Sequence, residues 1–349
     1  MTSSVSTTPL FDKVAFIGMG LIGSSMARRM IRDGLAGSIS CAVRSEATRD
    51  RVLELGIANY AYCDIESAVK DADLVMLCVP VGINETIGQQ LEGHLKPGCI
   101  VSDVGSVKQA VIRDIAPHLG EGVHFVPGHP LAGTEHSGPD AGFPELFEGR
   151  WCILTPIPGV PDDANARVQA LWEACGMRVE CMNADHHDRI LGITSHLPHL
   201  IAYTIVGTAT DLEDAMRQEV IKFSASGFRD FTRIAASDPT MWRDVFLNNR
   251  EAVLEVLGRF QEDLMALQRA IRWGEGDKLF DLFSRTREIR RGIVDAGQYF
   301  TNFSAEGENR TSDESAKAKK LKADTGSDCV SGADTEAEPT PPLMHNLPD

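Results

Sequence analysis

"KVAFIGMGLIGSSMARRMIRDG", residues 13–34, decides the fold. The apolar run Val14 to Ile17 leads into Gly18, Gly20 and Gly23, spaced as GxGxxG. Met26, Ala27, Met30 and Ile31 then recur at helical spacing. This order predicts a strand, a tight glycine turn and a helix start, and each glycine has its own task. Gly18 makes the turn, Gly20 lets the backbone approach a pyrophosphate, and Gly23 lets helix and strand pack closely. Leu21 and Ile22 open the helix, whose free N–H groups and positive dipole end suit phosphates. Gly18, Gly20, Leu21, Ile22 and Gly23 are therefore candidate dinucleotide-binding residues.

Outward from this unit, the runs "VAFIG", "SISCAV", "DLVMLCVP", "CIVSDVG", "HFVPG" and "WCILTP" alternate with helix-like stretches. The rhythm predicts an α/β, Rossmann-type domain over residues 12–183, with a mostly parallel sheet covered on both faces. Beyond "MRVECMNADHHD" the apolar residues follow helical spacing, and an all-helical second domain is expected over 184–300. Residues 301–349 hold ten acids against five bases and almost no aromatics. Such a tail cannot bury enough apolar surface to order itself, and its "KAKKLK" is too short and too interrupted by acids for a targeting or nucleic-acid patch.

Composition narrows the partners. A formal charge of -16 over 349 residues argues against nucleic acid or an anionic membrane, since phosphate binding needs a net basic face. The eight cysteines are scattered without a CxxC pair, which favours free thiols and no structural metal. With no apolar core in "MTSSVSTTPLFDK" and no run of 18 apolar residues, a cytoplasmic location and no membrane span are expected.

About twenty residues past Gly23, where a free ribose 2'-hydroxyl would meet an acid, the chain has Val43 followed by Arg44 and Ser45. A guanidinium beside a hydroxyl suits a 2'-phosphate, with Arg49 and Arg51 within reach. Alternatively, these arginines pair with Glu46, Asp50 and Glu54 on a solvated helix. Val79 and Pro80 of "CVPV" and Asp103 of "SDVGSVK" are expected beside the same crevice, at the carboxyl edge of the sheet.

Three segments combine polar residues in ways a core does not require. In "GHPLAGTEHSG" (128–138), His129 follows a strand end and can act as a base toward an alcohol, with Thr134 and Glu135 in the loop beyond. In "TSHLPHLIAY" (194–203), His196 and His199 bracket Pro198 on an apolar helix and suggest a kink. No third ligand stands at helical spacing for a metal, so none is expected. "SGFRDFTRIAASDPTMWRD" (226–244) carries Asp230 and Arg233, either on a solvated helix face or as a clamp for a carboxylate.

These motifs, taken in order from Lys13 to Gln298, resemble the prephenate/arogenate (cyclohexadienyl) dehydrogenase family of tyrosine biosynthesis. The resemblance implies oxidative decarboxylation with hydride transfer to NAD(P)+, a prephenate or arogenate substrate, and a homodimer formed through the helical domain. It further implies that His129 takes the 4-hydroxyl proton and that Ser106 bonds that hydroxyl and orients the histidine. Arg233 would clamp a substrate carboxylate, His199 and His196 would line the site, Thr134 and Glu135 its mouth, and Asp230 would orient neighbours. Many members carry an acid where this chain has Val43, so NADP or dual cofactor use is expected. Two other classes fit the outline. A β-hydroxyacid dehydrogenase would need a lysine early in the helical domain, and none occurs between Asp185 and Val220. A non-catalytic nucleotide-binding protein would have no use for His129, Ser106 and Arg233 together.

Overall fold

The computed structural model describes residues 8–134, 136–210, 219, 222–223 and 225–295, without the side chains of 294 and 295. Glu135 and the 301–349 tail lie outside the described residues. The chain divides into two compact units, residues 1–269 and 270–349.

The opening motif folds as its spacing dictates. Strand β1 (Phe11–Ile17) turns at Gly18 into helix α1 (Leu21–Asp33). A β-carbon on Gly18, which has φ of 92°, would lie 2.5 Å from the Cys78 carbonyl oxygen, and one on Gly23 would lie 2.6 Å from that of Gly18. Strands β2 (Ala36–Ala42), β3 (Tyr60–Tyr62), β4 (Leu74–Leu77), β5 (Ile100–Asp103) and β6 (His124–Val126) complete a six-stranded sheet of order β3-β2-β1-β4-β5-β6. Every pairing in it is parallel, so the crossovers put helices on both faces. They include α2 (Glu46–Glu54), α3 (Ile65–Val69), α4 (Asn84–Leu91) and α5 (Lys108–Ile115).

One expectation is corrected here. "WCILTP" does not extend the main sheet: β8 (Trp151–Leu154) joins β7 (Gly128–Pro130) and β9 (Arg178–Cys181) in a second, three-stranded sheet. Pro127 lacks the N–H that a continuing ladder needs, and its carbonyl is bonded by Thr155 N–H. The chain leaves β6 there, re-pairs antiparallel with β8, and so presents His129 at the carboxyl edge of the sheet.

Two cores flank the main sheet. One collects Phe11, Phe16, Met26, Met30, Phe147 and Trp172, with α6 (Asp162–Ala174) behind it. The other collects Ile17, Val75, Leu77, Val101 and Val111 together with Trp242 and Val245. The last two come from α10 (Pro239–Asn248), which Asp238 caps by accepting from Met241 N–H at 2.8 Å. At about 1.5–3 kcal/mol for each fully buried large side chain, that contact fastens the helical part to the sheet. The helical part contains α7 (Ala184–Leu191), a π-helical turn at Gly192–His196, α8 (Leu197–Thr210) and α9 (Ser226–Thr232). Helix α11 (Arg250–Arg272) follows α10. In the second unit, α12 (Gly276–Asp295) leaves Phe280, Phe283 and Ile289 exposed.

Candidate active site

The glycine turn has room where a ligand would need it. Gly20, the residue before α1, has nothing within 4 Å of an added β-carbon. No acid sits in the first turn of α1 and no side chain caps it, so its N–H groups around Leu21, Ile22 and Gly23 can receive phosphate oxygens. Val79 lies against Gly18 and Pro80 begins the next turn, so β4 delivers both to this crevice. These residues fit a dinucleotide.

At the end of β2, Val43 belongs to the core, which is why no acid stands there. Ser45 caps α2 and shares a 2.9 Å contact with the Thr48 hydroxyl. The expected arginine cluster is only partly present. Arg49 pairs with Asp50 at 2.8 Å and Arg51 with Glu54 at 2.6 Å and with Asp140, so the solvated-helix alternative holds for these two. Arg44 is exposed and has no such partner among the described residues.

Asp103 also departs from expectation. It is buried and committed to the protein itself: Oδ2 accepts from Lys108 Nζ at 2.5 Å and from Gly105 N–H at 2.7 Å, while Oδ1 accepts from Gly128 N–H at 3.1 Å. Lys108 Nζ also donates to the Gly128 carbonyl at 2.6 Å. An ion pair with no solvent access thus ties β5, α5 and β7 together beneath His129, and Asp103 has a structural task in place of a cofactor contact.

His129 is buried, its Nδ1 2.8 Å from His187 Nε2. His187 Nδ1 lies 2.7 Å from Asp188 Oδ1. Burial pushes His129 well below its ordinary value of 6.5, and the charges of His187, Lys108 and His196 act in the same direction. Burial likewise lowers His187, opposed by its bond to Asp188.

The suggested kink at Pro198 is realised as the π-helical turn before it, a local widening that turns His196 inward. Asn249 Nδ2 donates to the Asp188 carbonyl at 2.8 Å, which identifies that atom as nitrogen, and it stands 2.9 Å from His196 Nδ1. His196 Nδ1 therefore accepts. Its buried Nε2 lies against the Ser106 backbone without a well-formed hydrogen bond among the described residues, and burial lowers the ring to about 4. Ser106 itself sits half-buried in the loop between β5 and α5.

His199 stacks on Trp242 with centroids 3.6 Å apart, and its Nδ1 bonds the Ser195 carbonyl at 2.8 Å. Arg233, exposed at the start of the turn after α9, is close enough for its charge to lower His199. His129 and His187 are thus in direct contact, His196 and His199 both pack on Trp242, and Arg233 stands near His199. Thr134, half-buried in the loop after β7, accepts from His136 N–H. Asp230 stands exposed one turn before Arg233 and takes no part in the buried network.

Sequence reasoning assigned no role to Lys108, His187, Asp188 or Asn249. "NADHHD" carried a signal, an acid directly after a histidine at a helix start, but nothing in the sequence shows that it folds against the start of α5.

A parallel sheet with an open glycine turn and a buried histidine at the same carboxyl edge is the arrangement of a nicotinamide-dependent dehydrogenase. The chain belongs to the prephenate dehydrogenase family: the family's nucleotide-binding domain matches residues 26–181 and its dimerization domain residues 183–285. It is 43% identical to a cyclohexadienyl dehydrogenase of Zymomonas mobilis over 81% of this chain and 97% of that one. It is 29% identical to a prephenate dehydrogenase of Bacillus subtilis over 81% and 76%. Among solved structures, the prephenate dehydrogenase of A. aeolicus in complex with hydroxyphenyl propionate and NAD+ matches with a TM-score of 0.76 and 33% identity, covering 82% of this chain and 99% of that one. This membership sets aside a β-hydroxyacid dehydrogenase.

Proposed function

We propose that the protein oxidatively decarboxylates prephenate, arogenate or both, in tyrosine biosynthesis. The observation that carries this is the buried pair His129–His187 at the carboxyl edge that also bears the glycine turn, with Arg233 near His199. A bound nicotinamide cofactor would supply the hydride acceptor. His129 Nε2 takes the 4-hydroxyl proton as the carbonyl forms, and the Ser106 hydroxyl bonds the same oxygen. Arg233 holds a substrate carboxylate, a task suited to a guanidinium fork, and His199, a ring fixed by stacking, contacts the substrate beside it. His196 lines the pocket; Thr134 and Asp230 belong to its rim. Loss of the ring carboxylate as CO2 aromatises the ring and makes the step irreversible.

Arg44 with the Ser45 and Thr48 hydroxyls favours a 2'-phosphate, so NADP is accepted beside or ahead of NAD. The protein acts as a homodimer. Ile193 and Ile205 on the helical run, with Phe280 and Phe283 on α12, are exposed apolar residues that a second copy would cover. The run Ala184–Thr210 is long and apolar enough to cross a membrane, yet it holds the bonded pair His187–Asp188 and three further histidines. We read it as a helical run of the dimer-forming part of a cytoplasmic enzyme that binds neither membrane nor nucleic acid. The deciding experiment assays purified protein with each substrate and each cofactor, beside His129→Asn. We expect turnover in wild type and a kcat lower by about two to four powers of ten in the variant, with cofactor binding kept. Absence of turnover in all four combinations would refute the proposal.

A further inference from the structure

We propose that His187 and Asp188 form a buried positioning relay that fixes His129 as its Nδ1–H tautomer and stabilises the positive charge that appears on it in turnover. The inference rests on His129 being the base of the proposed reaction.

The hydrogens follow from the heavy atoms. Asp188 accepts from the first two main-chain N–H groups of α5, Lys108 at 2.8 Å on Oδ1 and Gln109 at 2.9 Å on Oδ2. Both oxygens are therefore acceptors, and the carboxylate caps the positive end of that helix. His187 Nδ1, 2.7 Å from Oδ1, must then be a donor, because the other tautomer would set a lone pair against a lone pair. His187 Nε2 carries no proton, so His129 Nδ1, 2.8 Å away, donates to it. His129 Nε2 is left as the unprotonated nitrogen of the ring.

When Nε2 accepts a hydroxyl proton, the O–H bond breaks, an N–H bond forms, and the ring becomes an imidazolium in a buried site. Of the other groups facing the ring, Lys108 on α5 is cationic and already paired with Asp103, and His196 on the π turn already accepts from Asn249. Among the described residues, the lone pair of His187 Nε2, backed by the Asp188 carboxylate, answers the new charge. Neither residue needs to touch substrate.

The test combines nitrogen NMR with kinetics. In protein labelled with 15N-histidine, with signals assigned through His129→Asn, we expect His129 and His187 both protonated on Nδ1 at neutral pH. Asp188→Asn removes the charge behind His187, while its amide oxygen can still accept from Lys108 N–H and His187 Nδ1–H. Its kcat should fall by about tenfold to a hundredfold, the worth of one charged hydrogen bond, while substrate KM and cofactor Kd stay within about threefold. Because that variant weakens a helix cap, a second pair guards the result. His187→Gln keeps an acceptor for His129 and a donor for Asp188, and it should exceed His187→Leu in kcat by about tenfold or more. An Nε2–H tautomer of His129 in wild type, or equal rates for the Gln and Leu variants, overturns the relay. Failure of wild type to turn over either substrate overturns the dehydrogenase proposal instead, and the wild-type spectrum still tests the relay.

Discussion

Lys108→Met tests how the site is held in place. Lys108 Nζ is solvent-free, 2.5 Å from Asp103 Oδ2 and 2.6 Å from the Gly128 carbonyl. Methionine keeps the apolar stem and removes the ammonium. Asp103 keeps its bonds from Gly105 and Gly128 N–H but loses its counter-charge, and the Gly128 carbonyl loses the donor that steadies the residue before His129. Removing one partner of a buried pair costs about 3–5 kcal/mol, against total stabilities of about 5–15 kcal/mol. For a unit of this size Tm should drop by roughly 6–20 °C. The assay is urea unfolding at fixed protomer concentration, with the slope m compared between variants. In a double-mutant cycle with Asp103→Asn, a coupling of about 0.5–3 kcal/mol is expected. A loss below about 1 kcal/mol at unchanged m, with no coupling, would refute the pair as the anchor of β5, α5 and β7.

Arg44→Asp should weaken NADP by about tenfold to a hundredfold, the worth of one charged hydrogen bond, and leave NAD nearly unchanged; equal effects in titrations with both cofactors would remove Arg44 from cofactor choice. Arg233→Ala should raise substrate KM by a similar factor with a smaller change in kcat, and an unchanged KM counts against the clamp. Gly20→Ala should leave thermal stability nearly intact but impair cofactor binding, whereas Gly23→Ala should destabilise the fold, because only at Gly23 does a β-carbon meet backbone; calorimetry and cofactor titration separate the two. His129, His187, His196 and His199 are all lowered by burial, His196 to about 4. Above about pH 6.5 they are neutral folded or unfolded. As pH falls from there toward 4 the unfolded chain takes up protons that the folded chain refuses, so stability declines across that window. The same lowering keeps His129 in its base form, so kcat/KM should hold its plateau to well below pH 6.5; a profile falling at 6.5 would contradict the burial of this ring.

Much of the site was legible because its signals are local. Gly18, Gly20 and Gly23 act within one turn, and His129 follows a strand end by a count along the chain. Where contact partners lie far apart in sequence, legibility failed. Asp103 read as a cofactor residue until Lys108 and Gly128 were seen to consume its oxygens. For Arg49 and Arg51 the sequence leaves a phosphate site and a solvated helix face both open, and local carboxylates together with Asp140 from elsewhere decide for the second.

The sequence by itself determined the strand-turn-helix that opens the fold and the parallel order that follows from it, since period and glycine spacing are properties of the chain read in line. Only the tertiary structure decided what the His129 ring meets. Its neighbour His187, 2.8 Å away, is held in turn by a carboxylate at position 188 that meets the start of a helix at position 108, a contact across 80 residues that packing creates and no local pattern encodes.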